Sequence, residues 1–409
     1  MSETGKTAAL VGLAGLLLVA VWATSPRTAV PSSLQERGTR FFPGVTDLNA
    51  AASLEVVDFD DTTLTARPFK VLNRDGRWTI PSHYDYPADG ASRLSSIAAA
   101  VIALIKDDVA SDNVGDHEKC GVLDPLDGAV ATAKGRGTRV TILGGNDNVL
   151  ADIILGATVE GREQLRYVRL PGQNRTYVAR VDALQLSTTF EDWIERDLLL
   201  VDRDDVEAIA IRSFAFDGRR DNVADGETLV LRRTGSDVWT LNGIRARERI
   251  DTFRVNLLVT SLDNLVIADV RPKPAGLVAA LSTTGAGRIS AADAADLESR
   301  GFYTTSNREL LSTGGELLVR TDRGIVFQLR FGDVVADAER AAGDRQTGGE
   351  RRYLMIAAGF DSTATAGAAP DAFVDAQLAL LRARFAPWYY IVSEDTFKNV
   401  RLRRDDLVN

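Results

Sequence analysis

The chain is poor in the residues that most often carry chemistry. It has one cysteine, Cys120, and two histidines, His83 and His117, among 409 residues. A single thiol excludes an internal disulfide framework and any cysteine-built zinc or iron–sulfur site, and two imidazoles leave little for histidine chemistry. Twelve prolines exclude a disordered or collagen-like chain. There is no long basic run, and 48 basic against 57 acidic residues give a net charge of −9, so nucleic acid is not an expected partner. Neither GxGxxG nor GxSxG occurs, and Gly285-Ala286-Gly287 reads as a loop. Gly5-Lys6-Thr7 imitates the end of a phosphate loop but lacks both the earlier glycine and the preceding strand. No catalytic signature, cofactor motif or metal-ligand spacing stands out.

What is present is ordinary globular composition, 45% apolar and 26% charged, at a length that suits two or three domains. From Lys6 to Arg27 the chain carries no charge between the two ends, and an apolar run begins at Ala8 and ends at Ala23. About 20 helical residues span about 30 Å, the thickness of a bilayer's hydrocarbon core. Trp22 suits the interface, and Lys6 and Arg27 can reach the head groups. Residues 1–27 are therefore expected to be a transmembrane anchor holding the chain to the lipid bilayer. The weak small-residue site at Val21-Trp22-Ala23 argues for an uncleaved one. Residues 28–53, with Pro31, Ser32, Ser33, Pro43 and Gly44, read as a linker.

The rest of the chain repeats itself. The segment from Arg74 through Trp78 to Ile80 has a counterpart running from Gly235 through Trp239 to Leu241. At an offset of 156 the following helices pair Arg93 with Arg249, Leu94 with Ile250, Ile97 with Phe253, Val101 with Leu257 and Val109 with Leu265. Glu118-Lys119-Cys120-Gly121-Val122 parallels Glu298-Ser299-Arg300-Gly301-Phe302. Strand-like runs then pair 138–143 with 316–320, 150–159 with 326–335 and 166–170 with 352–357, with Gly156 opposite Gly332 and Tyr177 opposite Tyr390. The expected fold class is α+β: two tandem units, 54–205 and 206–409, each an antiparallel sheet with a packed amphipathic helix and a short terminal helix. Thr188 and Glu191 form a capping-box pattern for the terminal helix of the first unit.

The copies differ at one place. Pro171-Gly172-Gln173-Asn174 makes a tight turn in the first unit, whereas residues 362–386 form an insertion in the second. Within it Val374, Leu378, Leu381 and Phe385 share one helical face. That helix is either a cover over the sheet or a docking helix for a partner.

Three acidic stretches are candidate sites by composition. Asp116-His117-Glu118-Lys119-Cys120 reads as a solvated helix start, because a transition-metal site needs further soft or imidazole donors. Asp202-Arg203-Asp204-Asp205-Val206-Glu207 and Asp58-Phe59-Asp60-Asp61 read as acidic turns, lacking the glycine and distal ligands of a calcium loop. Trp78 and Trp239 read as core anchors.

Asp75-Gly76-Arg77-Trp78, Pro81, Ala88-Asp89, Gly121 and Asp124-Pro125 resemble the bacterial domain-of-unknown-function family 4340. Tyr167-Val168-Arg169-Leu170-Pro171-Gly172 and Trp193-Ile194-Glu195-Arg196-Asp197-Leu198-Leu199 extend the resemblance across the first unit. The second unit matches more weakly, and Gly121-Val122-Leu123-Asp124-Pro125 carries one residue more than the family's usual run. The resemblance implies one amino-terminal span, an extracytoplasmic bulk and, for some members, a link with ABC-type transport systems; it supplies no catalytic residues. It also decides orientation. Arg27, Arg37 and Arg40 against Lys6 favour a cytoplasmic bulk by local charge counting, but long domains translocate largely regardless of flanking charge. The expectation is a single-pass inner-membrane protein with a non-catalytic, extracytoplasmic module that binds an envelope or transporter protein. The alternatives are a passive spacer, or an envelope hydrolase using carboxylates at the cleft between units.

Overall fold

Strand β17 (Ile325–Val334) shows how the sequence builds the sheets: Ile325, Phe327, Leu329 and Phe331 are buried while Val326, Gln328 and Arg330 are less so. Period-two burial of this kind puts one row of side chains into the core and the other toward a thinner cover. In the computed structural model the described residues are 36–47, 50–89, 91–128, 132, 134–181, 186–216, 223–282, 288–305, 309–336, 349–363, 367 and 369–409. The apolar run from Ala8 to Ala23 lies outside them. Among the described residues no helix is long and apolar enough to cross a membrane.

The architecture is α+β, with two large sheets whose strand pairs are all antiparallel. The first half supplies β1 (Ala51–Asp60), β2 (Thr65–Arg74), β3 (Arg77–Ile80), β4 (Tyr86–Pro87), β5 (Asp108–Ser111), β6 (Thr138–Gly144), β7 (Val149–Val159), β8 (Arg162–Arg169) and β9 (Thr176–Arg180). They lie in the order β4-β3-β2-β1-β6-β7-β8-β9-β5. The second half supplies β10 (Val206–Phe216), β11 (Val223–Gly235), β12 (Val238–Leu241), β13 (Asp269–Pro272), β16 (Glu316–Thr321), β17, β18 (Arg351–Phe360) and β19 (Trp388–Ser393). Their order is β12-β11-β10-β16-β17-β18-β19-β13. A two-stranded sheet pairs β14 (Phe302–Thr304) with β15 (Leu310–Ser312).

Helix α1 (Ala91–Ile102) separates β4 from β5, and α3 (Thr252–Asp263) separates β12 from β13. Asp251 opens α3, its carboxylate accepting the Arg254 N–H at 3.0 Å. Their buried faces are in register 161 residues apart: Leu94 and Val255, Ile97 and Leu258, Ala98 and Val259, Val101 and Leu262. Trp78 and Trp239 keep the same separation, as do Asp108 and Asp269, which pair with Val178 and Ile391. The offset of 156 is thereby corrected. Phe253, which it set opposite buried Ile97, is 73% exposed.

The opposite faces of the sheets are covered as well. In the first half α2 (His117–Cys120) and Val122 pack on Ile154 and Tyr167. In the second, α4 (Ala275–Ser282), α5 (Ala291–Ser299) and β14 bring Leu277, Leu297 and Phe302 against Tyr353, Met355 and Tyr389. Gly121 and Gly301 both end their helices with positive φ, donating to the carbonyls of Glu118 and Glu298 at 3.1 Å. The close approach that follows needs a glycine beneath it: a Cβ on Gly156 would strike the Cys120 carbonyl, and one on Gly332 the Arg300 carbonyl.

Two local expectations are corrected. Residues 187–199 form no helix beyond a single turn, Phe190–Asp192. Trp193 fixes this backbone instead, its indole N–H donating to the Ser187 carbonyl at 2.9 Å and its own carbonyl accepting the Asp89 N–H at 2.8 Å. Residues 36–45, read as linker, are held against the fold. Phe41 is buried, its N–H bonds the Leu104 carbonyl at 3.1 Å, and Gly38 and Thr39 exchange backbone bonds with Lys106. Buried residues of both halves, among them Val71, Trp193, Ile211 and Leu258, belong to one continuous core.

Candidate functional site at the junction of the two sheets

Where the first half hands over to the second, the chain turns through Arg203–Asp205 into β10. The Asp322 N–H bonds the Asp205 carbonyl at 2.9 Å, clasping this turn to the β16–β17 hairpin. That hairpin closes on Gly324 at φ 80°, which a glycine adopts without strain. The first turns of α6 (Ala372–Phe385) form the third wall. Between them lies an open cavity of about 320 Å³. Leu200, on its rim, sits at φ 53°, costly for a residue with a Cβ. Asp197 holds it there, its carboxylate accepting the Leu200 N–H at 2.7 Å.

Four carboxylates line the cavity, those of Asp197, Asp202, Asp205 and Asp322, with Arg323 as the guanidinium. Burial raises the Asp205 carboxyl, and the negative charges of Asp322 and Asp202 push it the same way. Burial also raises that of Asp197, against the N–H groups of Leu200 and Val201. Arg323 lies 5.1 Å from the ring of Phe373, an aromatic that is 61% exposed at the cavity mouth. Val201, Ile325 and Phe327 give the cavity an apolar side. Such a lining suits a ligand that joins positive charge to an apolar body.

The four helix residues named from sequence take the opposite role to docking. Val374, Leu378, Leu381 and Phe385 are all buried, and the Phe385 ring meets Phe327 and Tyr390 edge-on at 6.4 and 6.3 Å. The docking face assigned to them is thus corrected: they seal α6 onto the second sheet. Lys273 caps the end of this helix, its buried ammonium donating to the Phe385 and Ala386 carbonyls at 3.2 Å. The residues α6 leaves outside are Phe373 and Leu380, the latter 55% exposed.

The other sequence candidates are dispersed. His117 is buried rather than solvated, its Nε2 lying 2.7 Å from the Asn174 carbonyl. Among the described residues no group of three or more histidine, cysteine, aspartate or glutamate side chains could hold a metal ion. Asp60 pairs with Arg67 on the first sheet, far in sequence from the cavity. Trp239 is buried and Trp78 packs partly buried on the core. His83 stacks on Phe190 at 4.2 Å, with Ser82 Oγ at 2.9 Å from Nδ1 and Asp269 at 3.7 Å from Nε2. The last distance exceeds a hydrogen bond, and Arg271 holds the same carboxylate at 2.5 Å, so this trio stitches the halves together. Of the cavity residues, Asp202 and Asp205 were legible as an acidic turn. Asp197, Asp322, Arg323 and Phe373 were missed; Thr321-Asp322-Arg323-Gly324 has the composition of a hairpin turn, but nothing in it says which turn it faces.

Among the described residues the two halves thus present two antiparallel sheets with an open, carboxylate-lined cavity at their junction. The chain belongs to the family described as domain of unknown function DUF4340, whose family model matches residues 78–286. The match begins at Trp78 in β3 and runs across the junction into the second half. No curated protein and no solved structure matches the chain.

Proposed function

We propose that this protein is a membrane-tethered, extracytoplasmic and non-catalytic binding module of the cell envelope, made of two copies of one α+β unit and serving an ABC-type transport system. The observation that carries the binding role is the cavity at the junction, walled by residues of both halves and lined by four carboxylates beside an exposed aromatic. The uncharged run from Ala8 to Ala23 supports the tether. Support for duplication comes from the strand orders: leaving out β4 and the small sheet, each half arranges its strands third, second, first, fifth, sixth, seventh, eighth, fourth. The 161-residue register and the matched Gly156 and Gly332 contacts point the same way.

The full-length chain, tagged at Asn409 and purified from solubilised membranes, should bring down a stoichiometric permease or ATPase. A reporter at the same end should be active only outside the cytoplasm. A folded, abundant bait that repeatedly recovers nothing overturns the binding role, and a cytoplasm-only reporter overturns the orientation.

A second reading, an envelope hydrolase, is favoured by the raised carboxyls of Asp197 and Asp205, since a general acid must hold its proton. It requires that Asp205→Asn abolish turnover of a glycan or ester substrate while leaving the fold intact.

A further inference from the structure

We propose that the junction cavity and the outward stripe of α6 form one docking surface, and that its occupant is a basic, amphipathic segment of a partner protein. This rests on the reading of the chain as an interaction module and names the surface and partner chemistry.

The helix argues for an extended occupant. Its inner face is spent on the core, yet Phe373 and Leu380 stand outside at 61% and 55% exposure. Seven residues apart, they fall on one side of the helix about 10 Å from each other. Gln377, between them in sequence, lines the cavity together with Phe373, so stripe and cavity are continuous. A small molecule filling the cavity would leave Leu380 untouched; a segment of two or more turns covers both.

The charge argues for a basic one. Four carboxylates face one guanidinium across the cavity, and the Arg323 guanidinium lies over Phe373. Among the described residues the carboxylates of Asp202, Asp205 and Asp322 accept no hydrogen bond and form no ion pair. A lysine or arginine entering here would relieve the mutual repulsion of Asp205 with Asp322 and Asp202, which adds to the effect of burial on its carboxyl. An anionic lipid surface would meet that repulsion instead, and a second copy of this chain would oppose like charge to like.

The test is photo-crosslinking from position 380, and in parallel from exposed Phe253 on α3, in the full-length chain in its own membranes, with the adducts sequenced by mass spectrometry. The expected adduct from 380 is one segment of another protein with Lys or Arg on one helical face and apolar residues on the other. Its yield should fall about tenfold in the Asp202→Asn, Asp205→Asn, Asp322→Asn variant, since three partly exposed charge pairs are worth about 1.4 kcal/mol together. That variant should melt within about a degree or two of the parent, because the lost attraction between Asp205 and Arg323 is set against the relief of repulsion among the carboxylates. An adduct to lipid, to a second copy or to an acidic segment overturns the proposal, as does a yield indifferent to the substitutions. An adduct from 253 without one from 380 sinks this surface while sparing the module reading; no protein adduct from either position sinks both.

Discussion

Lys273 and Phe385 meet at the end of the helix that covers the second sheet, ammonium to carbonyl at 3.2 Å. Burial, with the nearby charge of Arg330, pulls the lysine down to about 7 from its ordinary 10.5. Below that value the lysine is charged in the folded and unfolded chain alike, and above 10.5 it is neutral in both. In between, the unfolded chain binds the extra proton, so stability rises with pH. Denaturant unfolding across this window should show the parent gaining about 2–5 kcal/mol relative to Lys273→Met, whose own curve lacks this component.

The segment from Glu36 onward is fastened by an acid. Glu36 accepts from Tyr177 at 2.6 Å, Arg175 at 3.0 Å and Lys106 at 3.3 Å. The tyrosine hydroxyl, followed by the lysine and arginine, holds its carboxyl below the ordinary 4.5. This fastening is present above the unfolded value and is lost as pH falls through the lower folded one. Protection factors at the Gly38 and Phe41 amides, taken relative to the intrinsic exchange rate at each pH, should therefore fall on acidification, and Glu36→Gln should give the low protection already at neutral pH.

Gly156→Ala and Gly332→Ala should each cost about 1–3 kcal/mol or more, because the new methyl meets a backbone carbonyl that cannot yield. Gly235→Ala, whose Cβ meets nothing closer than 3.7 Å, should change stability by less than about 0.5 kcal/mol. Urea midpoints check all three, and similar losses at 156 and 332 are what duplication requires.

The two faces of α6 should separate cleanly. Phe385→Ala removes a buried ring and should cost about 3–5 kcal/mol. Leu380→Ala should leave the melting temperature within about a degree or two, the scale of a surface substitution.

Much of the architecture was written in local pattern. The alternation in 326–331, the hairpin at Thr321-Asp322-Arg323-Gly324 and the apolar face of Val374, Leu378, Leu381 and Phe385 each follow from the period of one element. The helix register was misjudged because the identity of Arg93 with Arg249 outweighed the continuity that starts at Trp78 and Trp239. A shift of five residues turns a helical face by about 140°, which is why it set exposed Phe253 against buried Ile97. The capping-box pattern at Thr188 and Glu191 failed for a tertiary reason: Trp193 is buried and its carbonyl is bonded to Asp89, about a hundred residues away in sequence. The cavity was illegible for the same kind of reason. Its walls come from residues near 200, near 322 and near 375, and only the folded chain brings them together.

The fastening of Glu36 also sets a leash. For the proposed anchor, taken to end at Arg27, eight residues intervene before Glu36 is pinned to Tyr177 and Arg175. The nine residue steps from Arg27 to Glu36, at no more than about 3.6 Å each, reach at most about 32 Å. The proposed tether therefore requires that the end of the first sheet carrying β5 and β9 lie within that reach of the head groups.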